Sequence, residues 1–317
     1  MKAFRFAGFV LMASASSITA AQYPDRPIRI IVPFAAAGVS DILARVVAQK
    51  VTEQSGKTVV VENRAGAGGR IGYEAGAKSL ADGYTLVATD VTYTMMPALY
   101  SSLPWEHANL VPITLVAQMP FVLAVNAGAK TGSMAELLAF AKAHPGKINY
   151  GSSGIGGVNH VVTELFRRTA GIELTHVPYR GMGEAMAGLL GGSIDVVITA
   201  MPTAMNHVKS GKISALSVTA ARRPSALPNV PTTSESGVAF VASNWVGFTT
   251  PKGAPREAIE WVQKQVSTAV LAADVRERIS AAGAEAQAMT TEEFGQLMQS
   301  EGRRWGETIR SANIRAE

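Results

Sequence analysis

Cysteine is absent from this chain of 317 residues. A chain without cysteine has no disulfide framework, no thiol nucleophile and no thiolate metal ligand. Charge is also sparse, because only 17% of the residues are charged and the formal net charge is +5. Short basic pairs such as Arg222 with Arg223, or Arg303 with Arg304, do not form a nucleic-acid-binding tract. We therefore expect neither thiol chemistry nor a nucleic-acid partner.

Signals for metals and nucleotide cofactors are also missing. The five histidines lie at positions 107, 144, 160, 176 and 207, so no two are four residues apart, and no His-Glu-x-x-His motif occurs. Residues 66–72 read G-x-G-G-x-x-G, which departs from the dinucleotide fingerprint, and no Gly-Lys-Ser or Gly-Lys-Thr follows them. We interpret this run as a tight turn and expect no metal and no cofactor.

The first residues have the layout of a secretory signal peptide. Lys2 and Arg5 precede a short apolar core at residues 6–13, and small residues follow up to a cleavage site after Ala20 or Ala21. The alternative of a membrane anchor is disfavoured because this core is too short to span a bilayer. No later segment approaches 18 uninterrupted apolar residues. We predict that residues 1–21 are removed, and the lack of disulfides favours the bacterial periplasm.

The mature chain of about 295 residues is a natural size for two domains. Short β-branched runs alternate with amphipathic stretches, which indicates a doubly wound α/β fold with mostly parallel sheets. The predicted strands include residues 28–32, 58–62, 84–89, 113–125, 175–178, 194–199, 213–219 and 244–250. The predicted helices are residues 41–54, 73–79, 133–143, 158–169, 183–190, 257–272 and 291–311. Ser133 and Glu136 have the spacing of a capping box.

Two interruptions predict where the chain crosses between lobes. Pro120 breaks the long apolar run, and the polar Ser243 and Asn244 precede the last strand. We therefore predict crossovers near residues 118–121 and 242–247. Lobe 1 is then residues 22–120 together with 244–317, and lobe 2 is residues 121–243.

One strand-to-helix loop in each lobe could bind an anion. Residues 34–41 and residues 151–157 consist largely of small residues, and each loop leads into a predicted helix. Backbone amides at a helix N-terminus, together with the helix dipole, form an anion site. The alternative for Ser40 and Asp41 is that they only cap the first helix. Acting together, the two loops could hold one carboxylate from both sides.

Further candidates lie near the predicted strand ends. Asp90 follows a strand at its carboxyl end, where it either tunes the ligand, caps the next segment or faces solvent. Tyr93 could supply a flat wall, His176 and Tyr179 are either packing residues or ligand contacts, and Trp245 is either core or a ligand wall. The predicted ligand-binding residues are Phe34, Ala36, Gly38, Ser40, Asp41, Asp90, Thr92, Tyr93, Ser152, Ser153, Gly154, His160, Tyr179, Met201 and Trp245.

A catalytic role has one weak candidate. No G-x-S-x-G elbow occurs, and Ser153 with His160 is the remaining pair that could act as nucleophile and base. The two residues are seven positions apart at the start of one helix, which is poor placement for proton transfer. A partly buried helix residue is the better interpretation of His160, but a secreted hydrolase stays an alternative.

Several ordered strings resemble one family, the extracytoplasmic solute receptors of tripartite tricarboxylate transporters, also called Bug receptors. The strings are YPDRPIR from residue 23, VPF from 32, ENRAGAGG from 62, DGYTL from 82, YGS from 150, HVPYRG from 176, GGSID from 191, GKISAL from 211 and LPNVPT from 227. Together they extend over nearly all of the mature chain.

This resemblance implies a periplasmic binding protein fold without catalysis. It implies that the loops at residues 34–41 and 151–154 hold a small carboxylate through backbone amides and water. It also implies delivery of that carboxylate by a monomeric receptor to a membrane permease. Handing the ligand to a membrane signalling protein remains an alternative. One departure is Ala37, because the family often has two glycines where this chain has Ala37 and Gly38.

Overall fold

The computed structural model describes residues 23–36, 38–129 and 131–316. The predicted signal peptide and the departure at Ala37 therefore lie outside the described residues. None of the helices within the described ranges is long and apolar enough to cross a membrane.

Two α/β lobes share two long crossover strands. Lobe 1 consists of β1 (Ile28–Val32), α1 (Val39–Ser55), β2 (Val59–Asn63), α2 (Arg70–Ala77), β3 (Thr85–Asp90), α3 (Val91–Leu99), α8 (Arg256–Leu271), α9 (Ala273–Ala281), β10 (Glu285–Ala286) and α10 (Thr291–Ser311). Lobe 2 consists of α4 (Met134–Ala143), β5 (Asn149–Ser152), α5 (Val158–Ala170), β6 (Thr175–Pro178), α6 (Met182–Leu190), β7 (Val196–Ala200), α7 (Met201–Lys209) and β8 (Ile213–Val218). The crossover strands are β4 (Leu110–Asn126) and β9 (Ser243–Pro251).

The sheets of the two lobes follow the same plan. In lobe 1, β2, β1 and β3 are parallel, and β9 then joins antiparallel to β3 and β4. In lobe 2, β6, β5 and β7 are parallel, and β4 lies antiparallel to β7 and β8. The strands β2, β1 and β3 of lobe 1, and β6, β5 and β7 of lobe 2, are thus parallel, as predicted. The crossover strands are antiparallel to their neighbours and make each sheet mixed. The loops after β1 and β5 occupy equivalent positions in the two lobes.

The long strand β4 connects the lobes at the predicted position. It pairs with β9 as far as Pro120, opposite Ser243, and with β7 from Phe121 onwards. Twelve of its 17 residues are buried, and most of these contribute to an apolar core that extends through both lobes, whereas Val122 and Ala124 belong to a second core within lobe 2. The exact limits of the two lobes as folding domains stay a prediction.

Several helix predictions need correction. The helices α3, α7 and α9 were not expected, because α3 is rich in β-branched residues and contains Pro97, and α7 has Pro202 in its first turn. The helix α1 begins at Val39 and its N-cap is Gly38. The prediction that Ser40 or Asp41 caps this helix is therefore wrong, because both lie inside its first turn. The capping box of Ser133 and Glu136 on α4 is confirmed.

Candidate functional site

The candidate site is formed where parallel strands end and helices begin. The strands β1 and β3 of lobe 1 run parallel to β4, whereas β5 and β7 of lobe 2 run in the opposite direction. The carboxyl ends of both sets therefore point toward the junction of the lobes. Ligands of open α/β sheets bind at such ends. The sequence-predicted loops at residues 34–41 and 151–157 both lie there.

The loop between β1 and α1 presents uncapped helix amides. Its N-cap Gly38 has extended backbone angles of φ −74° and ψ 166°, and no side chain caps the helix. The first amides of a helix have no acceptor within the helix. Phe34 is half-buried, Ala36 is exposed and Gly38 is partly exposed. This loop can therefore present amides to an anion from solvent.

Asp41 supports this loop through hydrogen bonds within lobe 1. Its buried carboxylate accepts hydrogen bonds from Arg45 Nε, at 3.0 and 3.1 Å, and from Asn63 Nδ2, at 2.8 Å. Asn63 Nδ2 also donates to the Phe34 carbonyl at 3.1 Å. Asp41 thus acts on the loop through Asn63, and the bracing role of Asn63, at the end of β2, was not predicted.

The glycine run at residues 66–72 supports the same loop. Three of its glycines, at 66, 68 and 69, have left-handed φ values, which fits the predicted turn. A methyl group added at Gly72 would lie 2.5 Å from Pro33 Cα and 2.8 Å from the Arg64 carbonyl oxygen. Close approach to Pro33, next to Phe34, is therefore possible only without a side chain at position 72.

In lobe 2, the loop between β5 and α5 is ordered by its own side chains. Ser152 is fully buried, and its Oγ lies 2.7 Å from His176 Nε2 and accepts the Gly154 amide at 3.1 Å. Ser153 Oγ donates to Asn159 Oδ1 at 3.1 Å. The N-cap of α5 is Gly157, again without a capping side chain. The first amides of α5 thus parallel those of α1.

His160 and His176 form a stacked pair beside this loop. Their ring centroids are 4.1 Å apart and their planes differ by 5°. Tyr150 stacks on His176 with its centroid 4.8 Å away. His176 therefore packs at the strand end, which was one of its two alternatives. Its contact with Ser152 was not predicted, because the two residues are 24 positions apart.

The geometry does not provide the predicted hydrolase pair. His160 Nδ1 accepts the Gly156 amide at 3.1 Å, whereas Ser153 Oγ donates to Asn159. His160 and Ser153 therefore do not hydrogen-bond to each other. Ser152 does contact a histidine, but it is fully buried and cannot reach a substrate carbonyl.

Asp90 has the capping role that was one of its alternatives. Its buried Oδ1 accepts hydrogen bonds from the Thr92 amide at 3.0 Å and from Tyr73 Oη at 2.9 Å. Thr92 is also buried. Tyr93 is fully buried between Tyr73 and His107, so it offers no open wall to a ligand in this structure. This packing could not be predicted from local sequence patterns, because Tyr73 and His107 are distant from Tyr93 along the chain.

We expect Asp90→Asn to change the pH dependence of folding stability. Burial raises the pKa of Asp90 from 3.8 to about 6. Because the folded protein then holds the proton more tightly than the unfolded chain, stability falls as the pH rises from about 4 to about 6. Wild type should lose up to about 3 kcal/mol of stability over this pH range, since that energy corresponds to two pKa units, whereas the asparagine variant should not. The stability of the variant minus that of wild type should therefore be larger at pH 8 than at pH 4. Denaturant titration of both proteins at the two pH values measures this difference in stability. An equal difference at pH 4 and pH 8 would contradict the raised pKa of Asp90.

The other three candidates are buried or half-buried. The ring of Tyr179 is half-buried against Gly151 and Gly188. Trp245 is fully buried, with its ring edge-on to Phe294 at 5.4 Å, as the core alternative predicts, and its role toward a ligand stays a prediction. Met201 is also buried and lines a different cavity.

This cavity is a groove at the junction of the lobes, and residues of both crossover strands contribute to its walls. It has a volume of about 790 Å³, and besides Met201 its walls include Gln118, Arg222, Arg276 and Glu285. Gln118 pairs with β9 on one edge of β4 and with β10 on the other. Residues of β4, β9 and β10 and the first residue of α7 all contribute to its walls. None of the residues in the loops at 34–41 and 151–157 lines it.

Thr199 is a polar residue that sequence reasoning missed. It lies near the carboxyl end of β7, and its buried hydroxyl has no hydrogen-bond partner within the described residues. Its neighbour on β4 is the apolar Val122. In lobe 1 the corresponding Thr89 near the end of β3 instead bonds Thr249 Oγ1 at 2.7 Å.

We expect opposite effects of valine at these two threonines. Thr199→Val removes an unsatisfied buried hydroxyl, so it should raise the free energy of unfolding by about 1 kcal/mol, whereas Thr89→Val should lower it by about 1–3 kcal/mol because it leaves Thr249 unpaired. Urea unfolding of both variants measures this difference. Destabilisation by Thr199→Val would mean that water or ligand satisfies its hydroxyl.

Within the described ranges, no group of three or more histidine, aspartate or glutamate side chains is arranged to hold a metal ion. The two candidate loops also contain no lysine or arginine. Any anion bound there would be met by backbone amides and hydroxyls.

This chain is similar to known receptor proteins, and two of the similar solved structures contain a bound dicarboxylate. A family model described as the tripartite tricarboxylate transporter family receptor matches residues 43–314. Protein BugT from Bordetella pertussis is 36% identical over 305 residues, which is 95% of this chain and 94% of BugT. The structure of Rpa4515 from R. palustris with adipate has a TM-score of 0.88 at 29% identity, covering 92% of this chain and 99% of that one.

A further solved structure is MatC (Rpa3494) from Rhodopseudomonas palustris with bound malate. Its TM-score is 0.84 at 27% identity, and the match covers 90% of this chain and 100% of MatC. The similarity therefore extends over both lobes.

Proposed function

Because the chain belongs to the tripartite tricarboxylate transporter receptor family, we propose that it captures a small linear dicarboxylate between its lobes. We propose further that it works in the periplasm as a monomer and delivers this ligand to the membrane permease subunits of a tripartite transporter. Malate and adipate, bound by two structural relatives, have two carboxylates on a short carbon chain. These two ligands suggest the size range of four to six carbons.

The observation that carries this proposal is that the loops after β1 and β5, which occupy equivalent positions in the two lobes, each lead into a helix whose N-cap is a glycine. Gly38 precedes α1 and Gly157 precedes α5, and neither helix has a capping side chain. In contrast, Asp90 occupies the N-terminus of α3. Free amides at a helix N-terminus bind carboxylates without a cationic side chain. Of the predicted residues, Ala36, Gly38, Ser153 and Gly154 are the expected direct contacts.

A thermal-shift screen tests the proposal. The panel contains monocarboxylates, linear dicarboxylates of three to eight carbons, malate, citrate, amino acids and aromatic acids. A ligand at 100 times its dissociation constant stabilises the folded protein by about 2.7 kcal/mol, which is easily detected. We expect the dicarboxylates to raise the melting temperature without being chemically altered. A panel in which no carboxylate has any effect, or one in which the acid is hydrolysed or otherwise converted, would overturn the proposal.

A further inference from the structure

Two histidines hold the two ends of the β5–α5 loop. His176 Nε2 lies 2.7 Å from the Oγ of Ser152, where the loop leaves β5. His160 Nδ1 accepts the amide of Gly156, just before α5 begins. Because the rings stack on each other at 4.1 Å, the two attachments form one unit. This unit lies beside the amides proposed above as carboxylate ligands.

The hydrogen bond to Gly156 is possible only when His160 is neutral. A backbone amide always donates, so Nδ1 must carry the lone pair, and the ring proton of His160 lies on Nε2. Protonation would place an N–H group opposite the Gly156 N–H and break this bond. Gly156 has a left-handed φ of 76°, and a methyl group there would lie 2.8 Å from Ala316 Cβ of lobe 1. The loop therefore meets lobe 1 at the residue that His160 holds.

The surroundings keep both rings neutral. Burial lowers the pKa of His160, an effect that the nearby Glu164 opposes and Arg167 reinforces. Burial and then the neighbouring His160 lower the pKa of His176 to about 4, against the effect of Glu164. Glu164 is itself engaged by Tyr150 Oη at 2.7 Å and by Arg167 at 2.7 Å.

Other elements bring titratable side chains to the loop and its histidines. β5 contributes Tyr150 and Ser152, and β6 contributes His176. Lobe 1 presents the apolar Leu99 and Ala316 next to Gly156. Glu164 and Arg167, both on α5, are therefore the charged groups that face the pair.

We propose that His160 and His176 are positioning residues of the carboxylate site: as neutral rings they hold the β5–α5 loop in its binding conformation, and protonation of His160 releases the loop and with it the ligand. This inference rests on the function proposed above. Its consequence is a receptor that binds its ligand near neutral pH and releases it in acid. Neither histidine needs to touch the ligand.

The decisive comparison is between wild type and His160→Asn. The asparagine oxygen can accept the Gly156 amide near the position of Nδ1, but it does not titrate. Calorimetric titration with the tightest dicarboxylate of the panel is carried out from about pH 7.5 to about pH 4.5. Wild type should lose more affinity over this range than the asparagine variant, because only the wild-type ring can take up the proton that breaks its hydrogen bond to the Gly156 amide. Protonation of the ligand and of Asp90 affects both proteins equally and cancels in the ratio.

Two further variants separate positioning from general stability. His160→Leu removes the acceptor and should weaken binding at both ends of the pH range. His144→Asn, at an exposed histidine stacked on Phe140, should leave the pH profile as in wild type. Parallel profiles of wild type and His160→Asn would overturn the inference while leaving the proposed function intact. Absence of dicarboxylate binding to wild type and to all three variants at neutral pH would instead refute the proposed function.

A ligand-free measurement keeps the inference testable even if a variant fails to fold. The ¹⁵N spectra of histidine side chains in the wild-type protein report the protonated nitrogen directly. We expect His160 to be neutral at pH 7 with its proton on Nε2. A proton on Nδ1 at that pH, or a charged ring, would overturn the inference.

Discussion

Replacing Gly38 by valine is expected to weaken carboxylate binding by more than tenfold while the protein still folds. The backbone of Gly38 is extended, so a β-branched residue is compatible with it, and an added Cβ would meet only the Ala35 carbonyl oxygen at 3.2 Å. The branched side chain would, however, project where the α1 amides are to receive the anion. A tenfold loss corresponds to about 1.4 kcal/mol, and calorimetric titration measures it.

Gly181→Val is a matched control for Gly38→Val. Gly181 is the extended N-cap of α6, and an added Cβ there would meet no atom within 4 Å. It should therefore leave both folding and affinity close to wild type. A Gly38→Val protein that folds and binds as wild type does would show that the loop between β1 and α1 does not hold the ligand.

Gly72→Ala is expected to lower both stability and affinity. The added methyl group would overlap the backbone of Pro33 and Arg64, which cannot move aside by a change of rotamer. Overpacking of this kind costs about 1–3 kcal/mol. The strain would displace Pro33 and with it the loop that begins at Phe34. Chemical denaturation and ligand titration of the same protein measure the two effects.

The control is one helical turn away on α2. Gly76→Ala would overlap the side chain of Val87, in the core and away from the loop. It should lower the free energy of unfolding without changing the affinity of the folded protein. Equal affinities of the two alanine variants would contradict the role of Gly72 in positioning the loop.

The fold was predictable because its main signals are local. The run from Ile28 to Val32, the helix with its Ser133 cap and the α10 bounds of Thr291–Ser311 could each be predicted from short stretches of sequence. Pro120 indicated the crossover, and the position at which β4 changes partner agrees with it. The family resemblance and the two-lobed periplasmic binding protein fold are confirmed.

The site was less predictable because its contacts are long-range. The burial of Tyr93 depends on Tyr73 and His107, and the bracing of Asp41 depends on Asn63. Residue type alone suggested a ligand wall for Tyr93 and a helix cap for Asp41. The short-range pattern did place both loops at the carboxyl ends of strands, and whether they bind a ligand stays a prediction.

Hydrogen–deuterium exchange with and without a saturating dicarboxylate tests the central claim most directly. If one ligand is held by both lobes, the amides of residues 38–42 and 153–160 should become protected together. The groove lined by residues 219–226 and 283–286 should show no comparable change. Protection limited to one of the two loops, or confined to this groove, would contradict the claim that the lobes jointly hold the carboxylate.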